Sequence, residues 1–366
     1  MKIGILTLPL HTNYGGILQA YALQTVLERM GNDVTIIDKP QIKKIPSLWT
    51  YFKRYIKKYV YRKNIVIYKE KKYNQSYPYV SKHTQRFINQ YIHNEYLPIS
   101  QIEEYRFDAI VVGSDQIWRP MYYRPVQDAY LNFASSWNVK KIAYAVSFGS
   151  DIWEYSQKEE MECYSLIHKF NAISVREKSG IALIKKHFHI DANLVLDPTM
   201  LLDKNDYLDL CKHVRSKGGG LKTYILDDSE QTSEMILCIG KMLNMPTTKL
   251  NSRFEDYSAP IKERVQPPVD DWLNGLYSAD FILTDSFHAC VFSILFEKKF
   301  YVIANNQRGV SRITNLLSLF GLENRIISSV NECMVNDDID YSTVNFKLAK
   351  WRDISYSFLT KSLQHN

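Results

Sequence analysis

The chain has no apolar run approaching the ~20 residues needed to cross a bilayer. It has no Gly-x-Gly-x-x-Gly fingerprint, no Cys-x-x-Cys or Cys-x-His spacing, no short-period repeat and no low-complexity tract. These absences argue against a membrane-spanning protein, a motif-defined nucleotide binder, a structural zinc module and a solenoid. Cysteine is sparse: Cys163, Cys211, Cys238, Cys290 and Cys333 are far apart and odd in number. That fits free thiols in a reducing compartment rather than a disulfide framework. No metal-ligand cluster stands out, so neither metal nor cofactor is expected. The opening Met1 to Leu10 has one positive charge and no small-x-small cleavage site after it, so it reads as a first buried strand rather than a leader. A soluble, cytoplasmic protein is expected.

What is present is enough apolar material for two cores. The 366 residues are 45% hydrophobic and 23% charged, which excludes bulk disorder. At roughly 150 residues per domain they suggest two domains. The net charge of +7 is unevenly spread. Between Lys39 and Lys72 there are twelve Lys or Arg against one acid, Glu70, a local +11 that leaves −4 for the remainder.

Short continuous apolar runs alternate with helical patterns along most of the chain. Ile3 to Leu8 precedes a helical pattern from Ile17 to Leu27 that Gly31 closes, and Asp33 to Ile37 follows as a second strand. Later runs are Ala109 to Val112, Ile142 to Val146, Ile173 to Val175, Tyr224 to Leu226, Phe281 to Leu283 and Phe300 to Ile303. Such runs mark parallel strands covered on both faces, hence an α/β architecture of two Rossmann-like, doubly wound domains with a cleft between them. We divide the chain into an N-terminal domain over 1–196, with a basic amphipathic insertion at about 43–73, and a C-terminal domain over 197–346. A terminal helix over 347–366 is expected to pack back on the first domain.

Within the insertion, Ile45, Leu48, Trp49, Phe52, Tyr55, Ile56, Tyr59 and Val60 follow helical spacing, with Lys53, Arg54, Lys57 and Lys58 opposite. This suits a helix lying on an anionic bilayer. It equally suits an ordinary amphipathic helix packed on the core with solvated lysines. No nucleic-acid motif accompanies the basic stretch, and no nucleic-acid partner is expected.

Four loops follow predicted strands, where α/β sheets place their ligands. The first contains Asn13, Tyr14, Gly15 and Gly16, with Gln19 in the helix behind; its glycines allow close backbone approach and its helix start favours an anion. The second contains Ser114, Asp115, Gln116 and Trp118, which suit hydrogen bonding and stacking of a sugar, with Asp115 alternatively a helix cap. The third places Arg176 at a strand end, where its partner is either an anionic ligand or an acid such as Glu177. The fourth brings Asp285, Ser286 and His288 to a helix start, with Arg308, Ser311 and Arg312 after the next strand. A histidine there is a general acid/base candidate or a structural hydrogen bonder.

Taken in order, Thr12-Asn13-Tyr14-Gly15-Gly16, Gly113-Ser114-Asp115-Gln116, Ser174-Val175-Arg176-Glu177, Asp197-Pro198-Thr199 and Asp285-Ser286-Phe287-His288 resemble the polysaccharide pyruvyl transferase family. The resemblance runs from about residue 3 to 320. It implies a fold like that of B-type glycosyltransferases and transfer of the enolpyruvyl carbon of phosphoenolpyruvate, a co-substrate, onto two hydroxyls of one sugar. The products are a cyclic pyruvate ketal and phosphate. It further implies His288 as acid or acid/base with Asp285 beside it, and donor contacts from Arg176, Ser286, Arg308, Ser311 and Arg312. Acceptor contacts fall to Asn13, Tyr14, Gly15, Gly16, Gln19, Ser114, Asp115, Gln116 and Trp118. One departure stands out: many members carry Arg-(Phe/Leu)-His where this chain has Ser286-Phe287-His288, leaving Arg176, Arg308 or Arg312 to substitute. Capsule and exopolysaccharide precursors are commonly built on a lipid carrier at the inner membrane face, so the Ile45 to Val60 stripe is expected to dock there. Two alternatives are a nucleotide-sugar glycosyltransferase and a catalytically silent carbohydrate-binding protein.

Overall fold

The computed structural model describes residues 1–39, 42–214, 218–254, 256–304, 310–334 and 338–364. Its strands are β1 (Lys2–Leu6), β2 (Asp33–Asp38), β3 (Asn94–Tyr96), β4 (Ala109–Val112), β5 (Lys140–Val146), β6 (Ala172–Val175) and β7 (Asn193–Leu194), then β8 (Leu221–Tyr224), β9 (Thr247–Lys249), β10 (Phe281–Thr284), β11 (Lys299–Ile303) and β12 (Ile326–Ile327). All pair in parallel. The first sheet has the order β3-β2-β1-β4-β5-β6-β7 and the second β12-β11-β10-β8-β9. Both are doubly wound, as the continuous apolar runs predicted: β4 (AIVV) and β10 (FILT) are buried throughout.

Strand order reverses between β1 and β4 in one sheet and between β8 and β10 in the other. Ligands of open α/β sheets bind at such switch points. The loops leaving these four strands line one cavity between the halves.

One expected strand is displaced. The apolar run ending at Leu226 leaves the sheet after Tyr224. The N–H groups of Leu226 and Asp227 turn instead to the Asp285 carboxylate, at 2.7 and 2.9 Å. The first helix, Tyr14–Arg29, is capped by Asn13, whose side chain accepts the Gly15 N–H, and Gly31 just beyond it takes φ +85°.

One hydrophobic cluster runs across both halves, from Ile3 and Ile17 to Trp272 and Phe292. Tyr14 is buried, donates its hydroxyl to the Pro267 carbonyl at 2.7 Å and stacks on Trp272 at 5.0 Å. The last helix begins at Tyr341, six residues before the predicted start, because Asp340 accepts the Ser342 and Thr343 N–H groups. Tyr341 donates to the Ser293 and Lys298 carbonyls of the second half. Ser355 accepts the Leu196 N–H at 2.9 Å, and Phe358 meets Tyr144 of the first half.

In the insertion, the Leu48–Tyr59 helix has no buried residue. The core-packed reading of its stripe is therefore incorrect: Leu48, Trp49 and Phe52 are 86, 61 and 53% exposed. Among the described residues, no helix is long and apolar enough to cross a membrane, and no group of three or more His, Cys, Asp or Glu could hold a metal ion.

Candidate active site

The inter-lobe cavity has a volume of about 920 Å³. His288 enters it from the second position of the Phe287–Leu295 helix. Three small polar groups fix that helix start. Ser286 caps it by accepting the Ala289 N–H, and Thr284 accepts the Ser286 N–H at 3.0 Å while donating to the Tyr224 carbonyl. Asp285 ties β10 to the chain leaving β8 through the two backbone bonds already described.

From the other half, the N-terminal turn of Tyr14–Arg29 presses its backbone against the His288 ring. A Cβ on Gly15 would lie 2.0 Å from His288 Nδ1, so only glycine admits this approach. At Gly16 the same addition meets nothing closer than 3.6 Å. Gly15→Ala is therefore expected to push the imidazole aside, costing about 1–3 kcal/mol of stability and about 100-fold in turnover if the ring moves by ~1 Å. Gly16→Ala should be nearly silent in both. Melting curves and turnover for the two variants check this, and equal behaviour would show that the contact is not rigid.

His288 Nε2 is buried, lacks a hydrogen-bond partner and lies 3.8 Å from Asp197 Oδ2. Behind it is a buried ion cluster. Arg176 donates from Nη1 to Asp197 at 2.6 Å and from Nη2 to Asp115 at 2.9 Å, with Glu177 at 3.7 Å from its Nε. The Phe287 ring lies 4.5 Å from the Arg176 guanidinium and 6.0 Å from that of Arg312. Burial lowers the His288 pKa; Asp197 and Asp115 oppose that shift, while Arg176 and Arg312 reinforce it. Burial, reinforced by Arg176, lowers the Arg312 pKa to about 10. Burial raises that of Glu177. For Asp115 burial pushes upward too, but Arg176, His288 and Arg312 leave its carboxyl below the usual value.

The model of the family described as polysaccharide pyruvyl transferase matches residues 13–307. The chain belongs to that family. No curated protein matches the sequence. Similar solved structures include the Staphylococcus aureus MnaA–UDP complex, at 11% identity over 90% of this chain and 85% of that one, with a TM-score of 0.48. UDP-GlcNAc 2-epimerase from Neisseria meningitidis bound to UDP-GlcNAc matches at 9% identity over 100% and 95%, TM-score 0.48. MurG from Acinetobacter baumannii matches at 10% over 100% and 95%, TM-score 0.43.

In this pyruvyl transferase family member, the residues predicted for the site divide into two groups. Asn13, Gly15, Asp115, Gln116, Asp285, Ser286, His288 and Arg312 line the cavity. Tyr14 is committed to the lobe interface. Gln19 donates to Thr7 and accepts both the N–H and hydroxyl of Ser114, so this pair braces the loop after β4 from behind. Gly16 and Ser311 are not among the cavity-lining residues. Arg308 lies outside the described residues.

Two expectations need correction. Trp118 offers no sugar platform: it is fully buried, stacked on Tyr130 at 4.5 Å and bonded to the Ala129 carbonyl. Arg176 is no open anion clamp, because its guanidinium is 1% exposed and spent on Asp115 and Asp197. The acid-partner alternative holds, with Asp115 and Asp197 closer than Glu177.

Other cavity residues were given no role by the sequence reading. His11, in the loop after β1, lines it with a pKa lowered to about 4, first by burial and then by Lys43, against a raising influence from Asp115. Its position after the first strand was the available signal. Asn251, Ser252, Arg253 and Phe254 follow β9, whose three exposed residues carry no apolar pattern to announce a strand. Among the described residues Arg253 and Arg312 line the cavity, and Arg253 pairs with Asp256 at 2.6 Å and Glu263 at 2.8 Å.

Proposed function

We propose that this transferase moves the pyruvyl carbon of phosphoenolpyruvate onto two hydroxyls of one sugar in a cell-surface polysaccharide or its lipid-linked precursor. The observation that carries this reading is His288, a buried imidazole lining the inter-lobe cavity with no hydrogen bond at Nε2.

Phosphoenolpyruvate has an electron-rich methylene and an anionic leaving group. The imidazolium gives its proton to the methylene carbon, producing a methyl group and an oxocarbenium-like C2. The first sugar hydroxyl adds to C2 and returns its proton to the imidazole. The bond from C2 to the phosphate oxygen then breaks, the second hydroxyl adds, and its proton leaves with the phosphate as hydrogen phosphate. One donor and one diol thus give one ketal carboxylate and one hydrogen phosphate.

We assign donor binding to Arg312 and to the two helix N-termini beside His288. Neither helix carries an acid in its first turn, which suits an approaching anion. With Ser286 engaged as a cap, Arg312 is the cation we assign to the role of the family arginine. Asn13, Gln116 and Asn251 are assigned to the acceptor, while Arg176 holds Asp115 and Asp197 in place behind the imidazole.

The test is phosphate release from phosphoenolpyruvate across free and lipid-linked galactose, glucose and mannose acceptors. Ketal formation with one of them is expected; binding of a nucleotide sugar with no phosphate release from any acceptor would overturn the reading. The pH profile adds a second readout. The reactive imidazole must be protonated, and burial sets its pKa below 6.5 in the free protein. Activity in kcat/KM should therefore fall as pH rises through a value below 6.5. A bound anionic donor stabilises the imidazolium, so kcat should persist to higher pH than kcat/KM. Coincident profiles would remove His288 as the donor-coupled acid.

A further inference from the structure

We propose that the Leu48–Tyr59 helix docks the protein on an anionic bilayer surface, with the cavity rim held close to that surface. Binding stands apart from pyruvyl transfer; only delivery of a lipid-linked acceptor rests on that reading.

Apart from Tyr55, which meets Tyr68, and the half-buried Ile56, the apolar face has no protein to cover it among the described residues. Leu48, Trp49 and Phe52 are exposed, Trp49 stacks on Phe52 at 5.4 Å, and Tyr59 and Val60 continue the stripe at 65 and 69% exposure. A soluble surface rarely gathers so many large apolar groups in one place without a partner. Cations flank them: Lys53 reaches over the Trp49 ring at 5.5 Å and Lys58 over the Tyr59 ring at 5.6 Å. This is the composition of an interfacial helix, whose apolar face enters the headgroup boundary while its lysines meet anionic lipid.

The charges sort into two roles that the sequence pattern ran together. Arg54 turns inward, forking onto Glu70 at 2.6 and 2.8 Å and bonding the Ile67 carbonyl at 2.8 Å. That pair consumes the single acid of the +11 segment and anchors the helix, leaving Lys53, Lys57 and Lys58 to face the lipid. The same charge argues against a second copy of the chain as the occupant, since two such segments would repel each other.

The anchor leads to the cavity. Glu70 begins the Lys69–Val80 helix, whose Ser76 hydroxyl accepts from Arg264 and whose Val80 carbonyl accepts the Gln266 N–H at 2.9 Å. Gln266 donates to the carbonyl of Thr12, which lines the cavity. A bilayer against Trp49 and Phe52 is thus joined to the cavity wall by the Lys69–Val80 helix and the 264–266 segment.

The experiment is co-sedimentation of the full chain with phosphatidylglycerol/phosphatidylcholine vesicles and with phosphatidylcholine vesicles, at low and high salt. Preferential pelleting with the anionic vesicles, weakened by salt, is expected. Trp49→Ser/Phe52→Ser should abolish it, and Lys53→Ala/Lys57→Ala/Lys58→Ala should weaken partitioning roughly 100-fold at about fivefold per lysine. Melting temperatures of both variants should match the parent because all five side chains are exposed. Equal pelleting with the two vesicle types would overturn the proposal even if a variant misfolded. So would a dimer dissolved by Trp49→Ser/Phe52→Ser, or retention on duplex DNA without vesicle binding.

Discussion

His288→Gln is expected to lower phosphate release from phosphoenolpyruvate by about 10²–10⁴-fold, the usual worth of a placed general acid. Glutamine keeps a polar side chain against the Gly15 backbone but cannot carry a transferable proton in this pH range. The ring sits on a helix start fixed by Ser286, Thr284 and Asp285 rather than by its own bonds. Removing it should therefore leave the fold intact, with a melting temperature near that of the parent. Donor affinity should change far less than turnover, because Arg312 and the helix ends remain. The decisive measurement is single-turnover phosphate release beside equilibrium binding of the donor. A variant with parental turnover would remove the imidazole from the chemistry; lost donor binding with unchanged chemistry would make it an anion contact instead.

Arg176→Met should produce the largest stability loss of any single change considered. It strands Asp115 and Asp197 in the interior with their strongest partner gone, at 5 and 0% side-chain exposure. Breaking a buried pair from one side costs about 3–5 kcal/mol, roughly 4–7 °C in melting temperature for a chain of this size. Without Arg176 to hold it down, the Asp115 carboxyl should take up a proton more readily, so the loss should be smaller at low pH. Adding Asp115→Asn and Asp197→Asn to the methionine variant should recover much of the stability without restoring full activity. Thermal melts of the single and triple variants at two pH values check this. An undisturbed melting temperature in the single variant would show that the cluster is far more solvated than its geometry implies.

Most of the fold was legible because both sheets are parallel and buried. Runs such as Ala109 to Val112 and Phe281 to Leu283 have few other physical uses. The short strands β3, β7, β9 and β12 were not, since two or three residues leave no period to read, whether exposed as in β9 or ending on a buried Ile327 as in β12. The candidate site was legible as a set of loops but not as a set of roles. Asp115 and Arg176 are distant in sequence and look like ligand groups until the fold pairs them with each other. Trp118 looks like a stacking platform because a sequence cannot show that Tyr130 already occupies its face. Exposure of the Leu48–Tyr59 stripe was undecidable for a related reason: the same pattern serves a core or a bilayer, and only the absence of a packed neighbour separates them.

The terminal helix has a mechanical consequence. Its start is fastened to one half through Tyr341 and its later turns to the other through Ser355 and Phe358. The polypeptide therefore crosses the waist of the molecule twice, once after β7 and once along this rod. Two crossings make a hinge with a defined axis where one would make a swivel. Relative motion of the two halves must therefore turn about that seam, where it would separate the Gly15 backbone from the His288 ring.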